Sequence, residues 1–223
     1  MPFKGTEDRR LVFSFESNDI KRQIDRDDEI LQRFREFLFA SLRKNSTAPQ
    51  YFLQPPHNRI AEIIRDSMET FIFGHEFSHI LFNHRRGGTL MSAQIGEVAF
   101  KKLVHLWQNE FDADCWGLLL MLGTMRNKGY SFSLGYLGAE LFFSFQNIFE
   151  RGMCLLNSGT EDWFWCDGRE NGPLCDHPPA MIRRQKLREL VKNQFGEESL
   201  EPSKAVENMI KILWDKTKDI LNH

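Results

Sequence analysis

His75-Glu76-Phe77-Ser78-His79 sets two imidazoles four residues apart, with a carboxylate beside the first. On a helix of about 3.6 residues per turn, positions four apart stack on one face, so both rings can reach a single metal ion. Glu76 is turned around the helix from that face, where it misses the metal yet can take a proton from an attacking water as general base. The spacing predicts metal-assisted hydrolysis. Upstream, Ile60, Ile64, Met68 and Phe71 recur at helical intervals, and the same stripe runs on through His75, His79 and Phe82. This periodicity aims the two histidines inward.

A second helix is expected over residues 93–123, with an inward row of Ala99, Leu103, Leu106, Glu110, Asp114, Gly117 and Met121. Two carboxylates in an apolar row need a cation, a metal or several donors opposite them, because an unpaired buried charge costs several kcal/mol. Glu110 can serve as third ligand, giving a two-His, one-Glu zinc set that leaves the fourth position open, as catalytic zinc sites do. Asp114, one turn on, can accept the free ring N–H of a ligating histidine and fix its tautomer. The small residues Ala113 and Gly117 allow the two helices to approach closely.

These residues carry a family resemblance. His75-Glu-Phe-Ser-His79 followed by Glu110-Phe-Asp-Ala-Asp114 resembles the HExxH and ExxAD pair of the gluzincin metallopeptidases, especially the HtpX and CAAX-protease-like branch and the phage-exclusion Lit-type peptidases. Asp176-His-Pro-Pro-Ala-Met-Ile-Arg183 resembles the His-Pro motif of that branch, with an arginine six residues after the histidine. The matches run in the family's order over about residues 71–190. The resemblance implies zinc on His75, His79 and Glu110, catalysis by Glu76 and His177, support from Asp114, and a substrate or oxyanion contact for Arg183. HtpX-type enzymes carry transmembrane helices and this sequence does not, so the family's membrane role does not carry over. The expectation is a soluble relative that cleaves a protein or peptide.

His177 is followed by two prolines and then by a helix beginning near Met181, so its imidazole sits at a stiff junction. From there it can donate to an oxyanion, swing onto zinc as a latch, or cap the following helix.

With 223 residues, 41% hydrophobic and 27% charged, the chain is long enough for one well-buried domain. A net charge of -2, without a concentrated basic stripe, gives no electrostatic basis for binding nucleic acid. The first residues lack the pattern of a secretory signal, and no apolar run approaches the roughly 20 residues that span a bilayer. A cytoplasmic protein with no membrane partner is expected. In that setting Cys115, Cys154, Cys166 and Cys175 are expected as free thiols, with a second zinc on Cys154, Cys166, Cys175 and His177 as the alternative.

The elements that must hold the site read as mainly α: a zincin-type helical domain, with a short β element near the N-terminus at residues 11–15. An amphipathic helix is expected over 27–44, then a connector over 45–58 that its three prolines keep from being helical. Asn58 is the expected cap of the motif helix, which runs over 59–84 and ends at Arg85-Arg-Gly-Gly88. His84, roughly 140° around the helix from His79, is read as a helix-end residue. An aromatic helix over 131–151, a wall or lid loop over 152–179 and helices over 181–195 and 203–223 complete one domain over 1–223, divided as 1–57, 58–123 and 124–223. Two rival readings are a catalytically silent zinc scaffold and a helical interaction module without metal.

Overall fold

The computed structural model describes residues 17–42, 51, 55, 57–82, 97–161 and 177–222. Seven α-helices are found among them, and no strand: α1 Ser17–Arg26, α2 Asp28–Leu42, α3 His57–Leu81, α4 Glu97–Asn127, α5 Phe132–Ser158, α6 Ala180–Phe195 and α7 Glu201–Thr217. The mainly α expectation holds. The expected β element at 11–15, His84, the stop at 85–88 and most of the proline connector lie outside the described residues. Among the described residues, no helix is long and apolar enough to cross a membrane.

Local chemistry explains most of the helix ends. The Asp27 carboxylate accepts from the backbone N–H groups of Glu29 and Ile30, at 3.1 and 3.2 Å, and so caps α2. Ser131 does the same for α5, and Gly159 closes that helix at φ 71°, a left-handed turn that glycine adopts without a Cβ clash. The expected cap at Asn58 is not found. Helix α3 already starts at His57, and the Asn58 side chain donates to Glu62 Oε1 at 3.1 Å. Helix α5 also runs on to Ser158, so the loop expected from residue 152 begins later. Helix α1 went unanticipated because its only apolar residues, Ile20 and Ile24, make too short a stripe to read; both are buried against α7.

Helices α3, α4 and α5 enclose the main core, in which Phe71, Met121, Met125, Tyr136, Ala139 and Phe143 pack with Leu187 and Val191 of α6. The Phe71, Phe142 and Phe143 rings lie 5.1 to 5.6 Å apart in tilted and edge-on pairs. The far end of α5 joins a second cluster of Leu38, Ile148, Leu155, Ile210 and Trp214, which ties α2 and α7 to it. Two crossings are glycine-dependent. A Cβ on Gly138 would stand 2.4 Å from Ser67 Oγ, so α5 can touch α3 only with glycine there. At the other crossing, a Cβ on Gly117 would stand 2.9 Å from the backbone nitrogen of His75. The backbone of α4 therefore lies directly against the first histidine of the motif.

Buried charges also join the helices. Glu140 of α5 is wholly buried and accepts from Arg188 of α6 at 2.5 and 3.1 Å, while Glu207 of α7 takes Arg184 and Arg188, each at 2.5 Å. Cysteine chemistry departs from expectation in part. Cys115 is a free thiol, whereas Cys154 is disulfide-bonded; Cys166 and Cys175 lie outside the described residues.

Candidate metal centre

The buried line of α3 is Ile63, Ser67, Phe71, Gly74, His75 and Ser78, so His75 faces α4 at the glycine crossing and His79 follows one turn on. Opposite them, Glu110 and Asp114 of α4 are 5% and 1% exposed, the buried row read from the sequence. Ala113 is fully buried beside them.

His75 Nε2 and His79 Nε2 are 3.1 Å apart. Glu110 reaches both, with Oε2 at 3.5 Å from His75 Nε2 and Oε1 at 3.4 Å from His79 Nε2. Bonds of 2.0–2.1 Å to a tetrahedral zinc put ligand atoms about 3.3–3.4 Å apart, and the spacings here are close to that, each imidazole facing a different oxygen of the carboxylate. Glu110 Oε2 is moreover buried without a hydrogen-bond partner. Its nearest fixed cation, Arg183, stands with Nη1 3.5 Å away without a hydrogen bond, so a cation at the centre of the triangle would give this buried anionic oxygen a closer partner. The three residues fit a metal ion by distance and by donor chemistry.

Tautomers point the same way. Asp114 Oδ1 lies 3.0 Å from His75 Nδ1, so the ring proton sits on Nδ1 and the Nε2 lone pair faces Glu110 and His79. Arg183 of α6 holds Asp114 from behind with two hydrogen bonds, Nε to Oδ2 at 2.8 Å and Nη2 to Oδ1 at 2.6 Å. Its Nη2 is also 3.4 Å from His75 Nδ1, but the shorter carboxylate contact is the one that orders the ring.

His177 sits beside this cluster. Its Nδ1 is 3.0 Å from Glu110 Oε1 and its side chain is 58% exposed. Burial pushes the Glu110 carboxyl up, but the His177 hydrogen bond and the Arg183 charge outweigh it and bring the group down to about 2. Glu110 is thus an anion at any physiological pH. The capping role for His177 is not what the structure has: Pro179 stands at the start of α6 without a side-chain cap, and the Ala180 N–H donates to Glu150 of α5 at 3.1 and 3.2 Å. Arg183 is 4% exposed, gives two hydrogen bonds to Asp114 and stands with Nη1 3.5 Å from Glu110 Oε2, so it supports the cluster as well as lining the cleft.

An open cleft of about 250 Å³ leads to the cluster. Its lining combines the polar residues His75, Glu76, Glu110, His177 and Arg183 with the apolar Phe71, Ile72 and Phe142, and α5 adds Gln146 and Glu150. Glu76 is exposed to this cleft, as a base acting on solvent or substrate must be. Gln146 and Glu150 went unnoticed in the sequence. The signal is weak, since Glu140, Ser144, Asn147 and Arg151 interrupt the same aromatic helix and nothing in the spacing sets Gln146 and Glu150 apart. No family model, curated protein or solved structure matches this chain.

Proposed function

We propose that the chain is a zinc-dependent endopeptidase of gluzincin type, acting on a protein or peptide. The observation that carries the reading is the triangle of His75, His79 and Glu110, with a buried Glu110 oxygen that accepts no hydrogen bond, opening on a cleft that contains Glu76. The chemistry a bound zinc supplies is Lewis acidity, which lowers the pKa of water and polarises a carbonyl. Glu76 takes the proton of the attacking water and passes it to the leaving amine. Asp114 keeps the His75 proton on Nδ1, so that Nε2 stays a ligand, and Arg183 keeps Asp114 in position. His177, exposed at the cleft, donates to the oxygen that gains charge when the carbonyl is attacked. Phe71, Ile72 and Phe142 exclude water from the side of the cleft where the peptide lies.

Zinc uptake and hydrolysis test the proposal together. Wild type takes up one zinc per chain, His79→Ala and Glu110→Ala lose it, and Glu76→Gln keeps it while hydrolysis falls by several orders of magnitude. A folded protein that takes up no zinc would overturn the reading. If Glu76→Gln cuts a substrate as fast as wild type, Glu76 is not the base.

A further inference from the structure

Glu150 is a carboxylate with too few partners for where it sits. It is half-buried in the wall of the cleft, and both of its oxygens share one donor, the Ala180 N–H. A carboxylate has about four lone-pair sites, so Glu150 keeps acceptor capacity for a ligand in the cleft that it lines. One turn earlier on the same helix, Gln146 lines the same cleft, and its Oε1 is buried with no donor. The same cleft is also lined by the apolar residues Phe71, Ile72 and Phe142. A ligand that satisfies all of this has an aliphatic stem and a positively charged head rich in N–H donors.

Resting on the peptidase reading above, we infer that Gln146 and Glu150 form a specificity pocket for a basic side chain, lysine or arginine, next to the bond that is cut. The stem lies along the phenylalanine rings and the head reaches the Glu150 carboxylate, flanked by the Gln146 amide. The charge balance permits it. Glu76, Glu110 and Glu150 line the cleft and Asp114 backs it, against the single guanidinium of Arg183, which Asp114 already binds. With a divalent ion counted in, the region carries about one negative charge once Glu150 is ionised, as a cationic head beside it would favour. Burial pushes the Glu150 carboxyl up to about 7, as expected for an acid whose partner is missing.

The test uses two readouts. The first is the ratio of kcat/KM for N-acetylated peptides that differ only in lysine or norleucine at the positions flanking the cut. At one of these positions wild type is expected to favour lysine by about 10- to 100-fold, and Glu150→Gln to bring the ratio near one. The second needs no turnover: calorimetric binding of lysine hydroxamate and norleucine hydroxamate to the zinc-loaded protein. Lysine hydroxamate is expected to bind at least about tenfold more tightly to wild type, and no more tightly than norleucine hydroxamate to Glu150→Gln. Because glutamine can still accept from the Ala180 N–H, this variant is expected to fold. If no peptide is cut and the hydroxamates still discriminate through Glu150, the pocket stands and the peptidase reading falls. Cleavage without lysine preference, equal affinity of the two hydroxamates, or a preference that survives Glu150→Gln overturns the pocket.

Discussion

Asp114 Oδ1 lies 3.0 Å from His75 Nδ1, on the side of the ring away from the triad. The same carboxylate holds Arg183 by two hydrogen bonds in a site where the two side chains are 1% and 5% exposed. Asp114 therefore does two separable things: it orients a ligand, and it neutralises a buried guanidinium. Asp114→Asn is expected to lower zinc affinity by about 10- to 100-fold through the first role. Through the second it should cost about 3–5 kcal/mol of stability, because Arg183 is left buried without its counter-ion. The double variant Asp114→Asn with Arg183→Met removes the stranded charge. Chemical denaturation should return towards wild type in that variant while the zinc titration does not. If zinc affinity recovers along with stability, Asp114 acts on the fold alone.

Gly117 and Gly123 lie on α4, and substitution by alanine should move stability in opposite directions. At Gly117 the new Cβ would meet His75 N at 2.9 Å and Phe71 O at 3.0 Å, backbone atoms that cannot yield by a rotamer change. Overpacking of this kind costs about 1–3 kcal/mol, more than the roughly 1 kcal/mol that alanine gains over glycine in a helix. It also pushes α3 and α4 apart at the triad, so weaker zinc binding should accompany the loss. Gly123 has nothing within 4 Å of its Cβ position, and Gly123→Ala should stabilise by about 0.5–1 kcal/mol. Thermal melts of the two variants, with zinc titrations alongside, decide it. A neutral Gly117→Ala would mean that the helices are not held this close.

The triad was legible in the sequence because its chemistry needs fixed residue types at helical intervals: His75 with His79, and Glu110 with Asp114. The burial of that second pair follows from their apolar row alone. The phase of α3 was harder to read. Its buried line begins at Ile63 and Ser67, not at Ile60 and Ile64, because the helix is apolar on its outer side too, with Phe73 and Ile80 at 72% and 76% exposed. Periodicity cannot fix a face when apolar residues go all the way round. The partnership of Arg183 with Asp114 was invisible for another reason. A contact between residues 69 apart leaves no periodic trace, so nothing in the sequence points to the arginine's support of Asp114. Gln146 and Glu150 were hidden by the aromatic character of α5, which reads first as core.

His177 offers two functional roles with opposite signs. As donor to the oxyanion it speeds the reaction, and as a latch on the metal it restrains it. Its Nδ1 contacts Glu110 Oε1 at 3.0 Å, yet the set of mutually close ligand atoms comprises His75, His79 and Glu110 without it. The donor role is therefore the expected one. His177→Ala should lower kcat by about 10²–10³ and change zinc affinity far less than Asp114→Asn does. Steady-state kinetics on a cleaved peptide, with zinc affinity measured by competition with a chelator, separate the roles. Higher basal activity in the variant would establish the latch instead.

Glu150 links selectivity to stability through its titration. Burial raises its carboxyl from an ordinary 4.5 to about 7 in the folded protein; the Ala180 N–H and the charge of Arg183 oppose that rise and do not cancel it. Below about pH 4 the group is protonated in both folded and unfolded chains and costs nothing. As pH climbs past 4.5, the unfolded chain gives up this proton while the folded one keeps it, so stability falls until the folded group ionises near 7 and then levels off. The full penalty above that pH is up to about 3 kcal/mol. Glu150→Gln removes the charge and keeps an acceptor for Ala180, so in the metal-free protein it should match wild type near pH 4 and be the more stable by on the order of 2 kcal/mol at pH 8. Urea denaturation at pH 4, 6 and 8 provides the comparison. A stability difference that stays constant across the three pH values would show that Glu150 is not desolvated in solution. A glutamine variant less stable than wild type at pH 8 would show that the carboxylate has a cationic partner in the free protein, which would also remove the acceptor that a basic substrate needs.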